Sequence, residues 1–317
     1  MNILFVSGAN SNTFGMPPLV LAQGESLKKY TCHNIYYFPL YGKGILGYLK
    51  NLPKLWKYLR IQPINIIHAH YSFSGIIASL SFSRKPVVVS LLGSDVMGNN
   101  FFNRLIIRYH KLLRWDAIIV KSREMQDKLK GKHSEVIPNG VDLSFFQPMD
   151  AQKCRNNLRW SEEKIHILFA ANPERPEKNF RLAKEAVSLL SENQNSVEVH
   201  FLENIEHQEI PIWINAAHVV ILTSLWEGSP NVIKEAMACN RPIVTTDVGD
   251  VKWLFGDEPG HFISTQNPEN YSDNLRKAIE FSKRIHLTRG RDRIIALQID
   301  SKHIAEKIND VYEKLFV

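Results

Sequence analysis

Apolar residues along this chain fall into short unbroken runs separated by polar loops and by stretches of helical spacing. Such runs lie at Asn2–Ser7, Asn34–Phe38, Ile64–Ala69, Pro86–Leu91 and Asp116–Val120. They recur at Lys164–Ala171, Val197–Leu202, His218–Thr223, Pro242–Thr246 and Gly260–Ile263. A short apolar run bounded by polar loops is the pattern of a strand buried on both faces of a parallel sheet. Helical spacing predicts helices near Pro17–Lys29, Arg104–Arg114, from Ser122 towards Gly131, over Pro211–Ala217, after Ser229-Pro230 and through the charged remainder from Pro268. Strand and helix in alternation predict an α/β chain of two Rossmann-like domains with parallel sheets. The first is expected over residues 1–145 and the second over 146–300, with the polar stretch Leu143–Glu163 as linker and domain entry. The string Val136-Ile-Pro-Asn-Gly-Val-Asp142 reads as a strand entering a turn, in which Asn139-Gly140 supplies positive φ.

The most informative stretch runs from Leu222 to Gly249, LTSLWEGSPNVIKEAMACNRPIVTTDVG. A strand gives way to a loop. Ser229 then offers a side-chain oxygen to free amides, and Pro230 arrives with φ already helical, which together predict a helix start. Ile233, Ala236 and Met237 share one face of that helix, which should end near Asn240 because Pro242 prevents its continuation. The unit is a βαβ crossover, whose parallel strands open a binding crevice at their carboxyl ends. Glu227 in the loop and Glu235 in the helix are expected roughly 10–12 Å apart, from about 1.5 Å per helical residue. Free helix amides between them suit phosphate, and a carboxylate accepts two charge-assisted hydrogen bonds from a vicinal diol. Anion in the middle and hydroxyl acceptors at both ends outline a nucleotide-sugar. Taken on spacing alone, the same pair could be exposed acids on an ordinary helix.

Other segments carry weaker signals. Arg175 and Lys178 lie just before a helix, where its dipole does not favour cations, and this suggests an anion between them and the amides. The loop holding Gly15 precedes a helix but lacks the GxGxxG spacing of a dinucleotide fingerprint. His68 and His70 point to one face of a strand end, and no third metal ligand is evident beside them. Residues 43–60 carry five basic and no acidic residues among Ile, Leu, Trp and Tyr. That stretch either lies on an anionic bilayer or is an ordinary helix with solvated lysines, interrupted by Pro53.

Composition narrows the partners. Hydrophobic content of 44% with 22% charged residues excludes a disordered chain. A net charge of +7 points to an anionic partner, yet no nucleic-acid module is visible. Cys32, Cys154 and Cys239 are scattered, as in a reducing cytoplasm. The start Met1–Gly8 reads as a strand and lacks the form of a signal peptide, and no window suits a membrane span.

The Leu222–Gly249 string resembles the donor motif of the retaining, GT-B-fold glycosyltransferases of family 4, with Glu227, Gly228, Ser229-Pro230, Glu235, Ala236-Met237-Ala238, Pro242-Ile243-Val244 and Gly249 at matching places. The resemblance implies that Glu235 holds the ribose hydroxyls of a nucleoside-diphosphate sugar and that Glu227 contacts the transferred sugar. It further implies that the backbone of Gly228, Ser229, Pro230, Asn231, Val232 and Gly249 reaches the sugar and diphosphate. Lys178-Asn179 matches the cationic site for the diphosphate, with Arg175 three residues ahead rather than the family's five. In the first domain, Gly15, His70 and Asp95 match positions at the cleft between two facing domains. Leu92 stands where the family has a histidine in its HGxD segment, which bears on whether turnover is retained. The implied reaction moves a sugar to a hydroxyl acceptor such as a lipid-linked saccharide, in bacterial surface polysaccharide or glycolipid assembly, with no cofactor and no obligatory metal. A UDP-sugar epimerase and a non-catalytic nucleotide-sugar-binding subunit would share the nucleotide site. The implied setting is cytoplasmic, at the inner face of the plasma membrane, with the final helix 301–317 crossing back to the first domain.

Overall fold

In the computed structural model, residues 1–9, 15–42, 44–98, 113–129, 134–191 and 197–316 are described. Two compact units form: Met1–Gly140 with Ser301–Val317, and Val141–Asp300.

The first unit holds strands β1 (Asn2–Gly8), β2 (Asn34–Leu40), β3 (Ile66–His70), β4 (Val87–Ser90), β5 (Ala117–Val120) and β6 (Glu135–Val136). All pairings are parallel, in the order β2-β1-β3-β4-β5-β6. The second unit holds β7 (Ile165–Phe169), β8 (Val197–Phe201), β9 (Val219–Leu222), β10 (Ile243–Thr246) and β11 (His261–Ser264), also parallel, in the order β11-β10-β9-β7-β8. Both sheets therefore reverse direction beside their first strand. That topological switch, β1/β3 in one unit and β7/β9 in the other, splays the outgoing loops apart and opens a crevice at the carboxyl ends. The apolar runs are continuous because helices cover both faces: Ile3 to Val6 and Val219 to Leu222 have no accessible surface.

The closing helix Ser301–Glu313 packs on the helix Pro18–Tyr30 of the first unit. Its Tyr312 is fully buried, with its hydroxyl 2.6 Å from His68 Nδ1.

Several local expectations need correction. Pro53 does not interrupt a helix; it sits in the first turn of a second one, Leu52–Ile61, after a short helix Gly44–Leu49. The first turn tolerates proline because its N–H would have no helical partner. Neither Asn139 nor Gly140 takes positive φ. The expected linker contains the helix Ala151–Leu158, capped by Asp150, which accepts from Lys153 N at 3.0 Å, and it belongs to the second unit. The helix expected at Arg104–Arg114 lies outside the described residues except for Leu113 and Arg114, which form a turn with Arg114 left-handed at φ 54°.

Candidate functional site

The crevice of the second unit is built from the loops leaving β7 and β9. They are laced together by their own polar groups. Thr223 Oγ1 lies 2.8 Å from the Lys178 carbonyl and 2.9 Å from that of Asn179, and Leu225 N donates to the Glu177 carbonyl at 2.9 Å. Asn179 adopts φ 49°, so the chain turns sharply after Lys178 and enters the helix Phe180–Ser191. From β10, Thr246 Oγ1 donates to the Ser224 carbonyl at 2.6 Å. The result is a rigid frame in which Lys178 Nζ forms an ion pair with Glu227, while Ser224 Oγ donates to the same carboxylate at 2.7 Å. The two side chains are only 12% and 15% exposed, which sets this pair apart from the solvent-facing ion pairs elsewhere. Arg175 is not brought to it: its guanidinium turns to Glu177 and remains 57% exposed.

Gly249, after β10, closes the frame. Its φ is 59°, and a Cβ there would meet the Gly228 carbonyl oxygen at 2.7 Å. Only glycine satisfies both the left-handed backbone and this approach.

The helix Asn231–Ala238 starts from Pro230 with no side-chain cap. Ser229 was expected to cap it and does not. Its Oγ instead accepts from Lys234 Nζ at 3.1 Å and donates to Asp250. The amides of the first turn, including those of Asn231 and Val232, are thus left without a side-chain acceptor from Ser229. Lys234 is 1% exposed, and burial holds its ammonium down to about 8, against the pull of Asp250 and Glu235. Burial likewise raises Asp250 to about 6, with Lys234 opposing, and Asp250 Oδ1 has no partner.

Glu235 projects from the next turn. It keeps part of its surface accessible, yet protein surrounds it closely enough that burial raises its carboxyl to about 7, with Lys234 pulling the other way. Among the described residues no hydrogen-bond donor faces this carboxylate. It is a half-open acidic group with vacant acceptor sites, in a recess that already holds a buried ammonium. Sequence reasoning missed Ser224, Lys234 and Asp250. A signal existed for Lys234, which with Glu235 forms the only charged pair in an otherwise apolar helix.

In the first unit, Asp95 has no accessible surface and binds two turns together, accepting from Ser72 N at 3.0 Å and Leu92 N at 2.7 Å. Burial pushes its carboxyl to about 7 despite these bonds. The Leu92 backbone thus fits the turn that its side chain, as leucine, cannot complete chemically. His70 is 2% exposed, its ring stacked 4.4 Å from that of His68, and its Nε2 has no partner. His68 uses both nitrogens, on Tyr312 and on Ser90 at 2.9 Å, and so offers no lone pair to a metal. Gly15 is half-buried at the foot of a loop whose preceding residues, 10–14, lie outside the described residues.

Residues 16–145 match the family profile described as Glycosyltransferase Family 4, and residues 154–280 match that of the Glycosyl transferases group 1. The chain belongs to the family 4 glycosyltransferases. The chain is 29% identical over 237 residues to the putative teichuronic acid biosynthesis glycosyltransferase TuaC of Bacillus subtilis, covering 67% of this chain and 61% of that protein. It is 22% identical to the UDP-Gal:alpha-D-GlcNAc-diphosphoundecaprenol alpha-1,3-galactosyltransferase of Escherichia coli, over 69% of this chain and 67% of that one. Its fold is the GT-B fold. Sucrose-phosphate synthase of Thermosynechococcus elongatus superposes with a TM-score of 0.76 at 17% identity, covering 99% of both chains. Anabaena HepE in complex with UDP and glucose does so with a TM-score of 0.76 at 18% identity, covering 99% of this chain and all of that one (100%). No helix among the described residues is long and apolar enough to cross a membrane.

Proposed function

We propose that this glycosyltransferase moves a sugar, with retention at the anomeric carbon, from a nucleoside-diphosphate sugar to a hydroxyl acceptor in polysaccharide or glycolipid assembly. The observation that carries the reading is the contrast between the two acids of one βαβ unit. Glu227 is fixed by Lys178 and Ser224, while Glu235 is only partly exposed and unpartnered. Leaving a partly buried carboxyl unpaired is costly, and hydroxyl donors from a ribose relieve that cost. The diphosphate then lies against the uncapped amides after Pro230, and the sugar beside Glu227.

Charge accumulates on the diphosphate as the glycosidic bond breaks. Lys178 and the helix amides are fixed in advance to meet it, which is where electrostatic catalysis acts. With that positive charge supplied by the protein, no obligatory divalent metal is needed. The departing phosphate oxygen takes the acceptor proton on the face it leaves, so a separate protein base is not required. Gly15, His70 and Asp95 shape the acceptor side. A lipid-linked saccharide is the proposed acceptor, on the strength of the diphosphoundecaprenol substrate named for the E. coli relative. The surface of residues 44–61 supports a peripheral position on an anionic membrane at its cytoplasmic face. There Leu46, Trp56 and Ile61 are exposed at 76%, 46% and 65%, among Lys50, Lys54, Lys57 and Arg60.

One observation favours a second reading, a nucleotide-sugar-binding subunit without turnover: the Leu92 side chain can neither hydrogen-bond nor move a proton. A single experiment separates the two. UDP- and GDP-sugars are incubated with and without a diphosphoundecaprenol-linked saccharide, following both donor binding and release of nucleotide. Acceptor-dependent release, lost in Glu235→Ala, is expected. Binding without release supports the second reading, epimerised donor without acceptor points to an epimerase of the same fold, and no binding of any nucleotide-sugar overturns all three.

A further inference from the structure

The second sheet carries a cluster that the proposed transfer does not use. β7 and β8 are parallel neighbours in the register His166↔Glu198 and Leu168↔His200. Side chains alternate along a strand, so Glu198 and His200 emerge on one face, and His166 emerges beside them. One ligand atom from each of the three lies within 4.8 Å of the others, and among the described residues this is the group that could hold an ion. We propose that His166, Glu198 and His200 form a binding site for a divalent transition metal of the copper or nickel type, on one face of the β7–β8 pair.

The hydrogen bonds already select the atoms. His166 Nε2 lies 2.7 Å from the Ser161 carbonyl, which can only accept, so the proton sits on Nε2 and the Nδ1 lone pair is presented. A carbonyl on the remote imidazole nitrogen is the usual support of a metal-bound histidine. His166 Nδ1 faces His200 Nε2 at 2.9 Å. That contact is the hydrogen bond an ion would replace, and two imidazoles with a carboxylate are the donor set for which Cu²⁺ and Ni²⁺ stand high in the affinity order of the divalent first-row metals. To ligate through Nε2, His200 moves its proton to Nδ1, and no other group needs to change protonation. Glu198 uses Oε2 for an ion pair with Lys164 at 3.1 Å, which leaves Oε1 for the metal. Lys164 is thus a built-in competitor. Trp160 lies flat on His200, ring centroids 3.5 Å apart at 7°, and covers the site from one side. Bound here, an ion clamps the edge strand β8 to β7.

The test uses the untagged full chain, stripped with chelator and titrated with Cu²⁺, then with Ni²⁺, by calorimetry and tryptophan emission. One equivalent should bind saturably and quench the fraction of emission due to Trp160. His200→Gln should weaken binding at least about tenfold and remove the quench, with Glu198→Gln doing so to a lesser degree. Lys164→Met should strengthen binding, an effect that a purely structural histidine cluster has no means to produce. Transfer activity is not the readout, so failure here leaves the proposed reaction untouched. Absence of a saturable equivalent, or equal affinity in wild type and both Gln variants, overturns the site.

Discussion

Glu235 gives the sharpest prediction, because its state is set by pH within the range where the protein can be handled. Burial raises its carboxyl from 4.5 to about 7 in the donor-free protein. About one tenth is therefore ionised at pH 6, half at pH 7 and about nine tenths at pH 8. If the ionised form alone accepts both ribose hydroxyls, affinity for the donor should rise nearly tenfold from pH 6 to pH 8. UDP-glucose suits the measurement, since its diphosphate is esterified at both ends and does not titrate here. Calorimetry in two buffers of different ionisation enthalpy should also detect proton release on binding below pH 7. Glu235→Gln should abolish the pH dependence and bind about tenfold more weakly at pH 8, the difference between charge-assisted and neutral hydrogen bonds. Asp250 at about 6 and Lys234 at about 8 titrate nearby, so Asp250→Asn serves as the control and should retain the slope. Stability should move the other way. A folded pKa above the unfolded one gives stability that is full below pH 4.5 and lost as pH rises through about 7. The Gln variant should accordingly be more stable than wild type at pH 8, by up to about 3 kcal/mol. Equal donor affinity at pH 6 and 8 in wild type, or an unchanged slope in the Gln variant, would refute the assignment.

Other perturbations follow from the same frame. Lys178→Ala should lower turnover about 10²–10³-fold with a smaller change in donor affinity, read from kcat and KM separately. Gly249→Ala forces a Cβ to within 2.7 Å of the Gly228 carbonyl at φ 59°, and should lower the thermal midpoint by the equivalent of about 1–3 kcal/mol while weakening donor binding. Tyr312→Phe leaves buried His68 Nδ1 without its partner and should cost about 1–3 kcal/mol in urea unfolding. Replacing Lys50, Lys54 and Lys57 by Glu should reduce co-sedimentation with anionic vesicles at low salt, and unchanged co-sedimentation would remove residues 44–61 from the membrane reading.

The sheets were legible because strands buried on both faces leave unbroken apolar runs, as at Val219–Leu222. The strand–loop–helix–strand unit that carries Glu227, Glu235 and Gly249 was legible because it lies within one local stretch. What the sequence hid was long-range or depended on competition between partners. Ser229 reads as a helix cap until a buried lysine five residues later, together with Asp250 from another loop, claims its hydroxyl. Arg175 and Lys178 look equivalent three residues apart, yet Glu177 holds one at the surface while the β9 loop draws in the other. His166 and His200 are thirty-four residues apart, and only strand pairing brings them into contact. The turn at Asn139-Gly140 failed for the opposite reason: a strong local signal was overridden by the chain's actual path.

The helix Ser301–Glu313 has a consequence for biosynthesis. Because it packs on Pro18–Tyr30 and plugs Tyr312 against His68, the first unit is sewn shut by residues made only after the second unit. The amino-terminal sheet must wait, with the flank of its first helix bare, while the whole second unit is synthesised and folds. Loss of this helix would thus injure the unit whose other residues lie farthest from it in sequence.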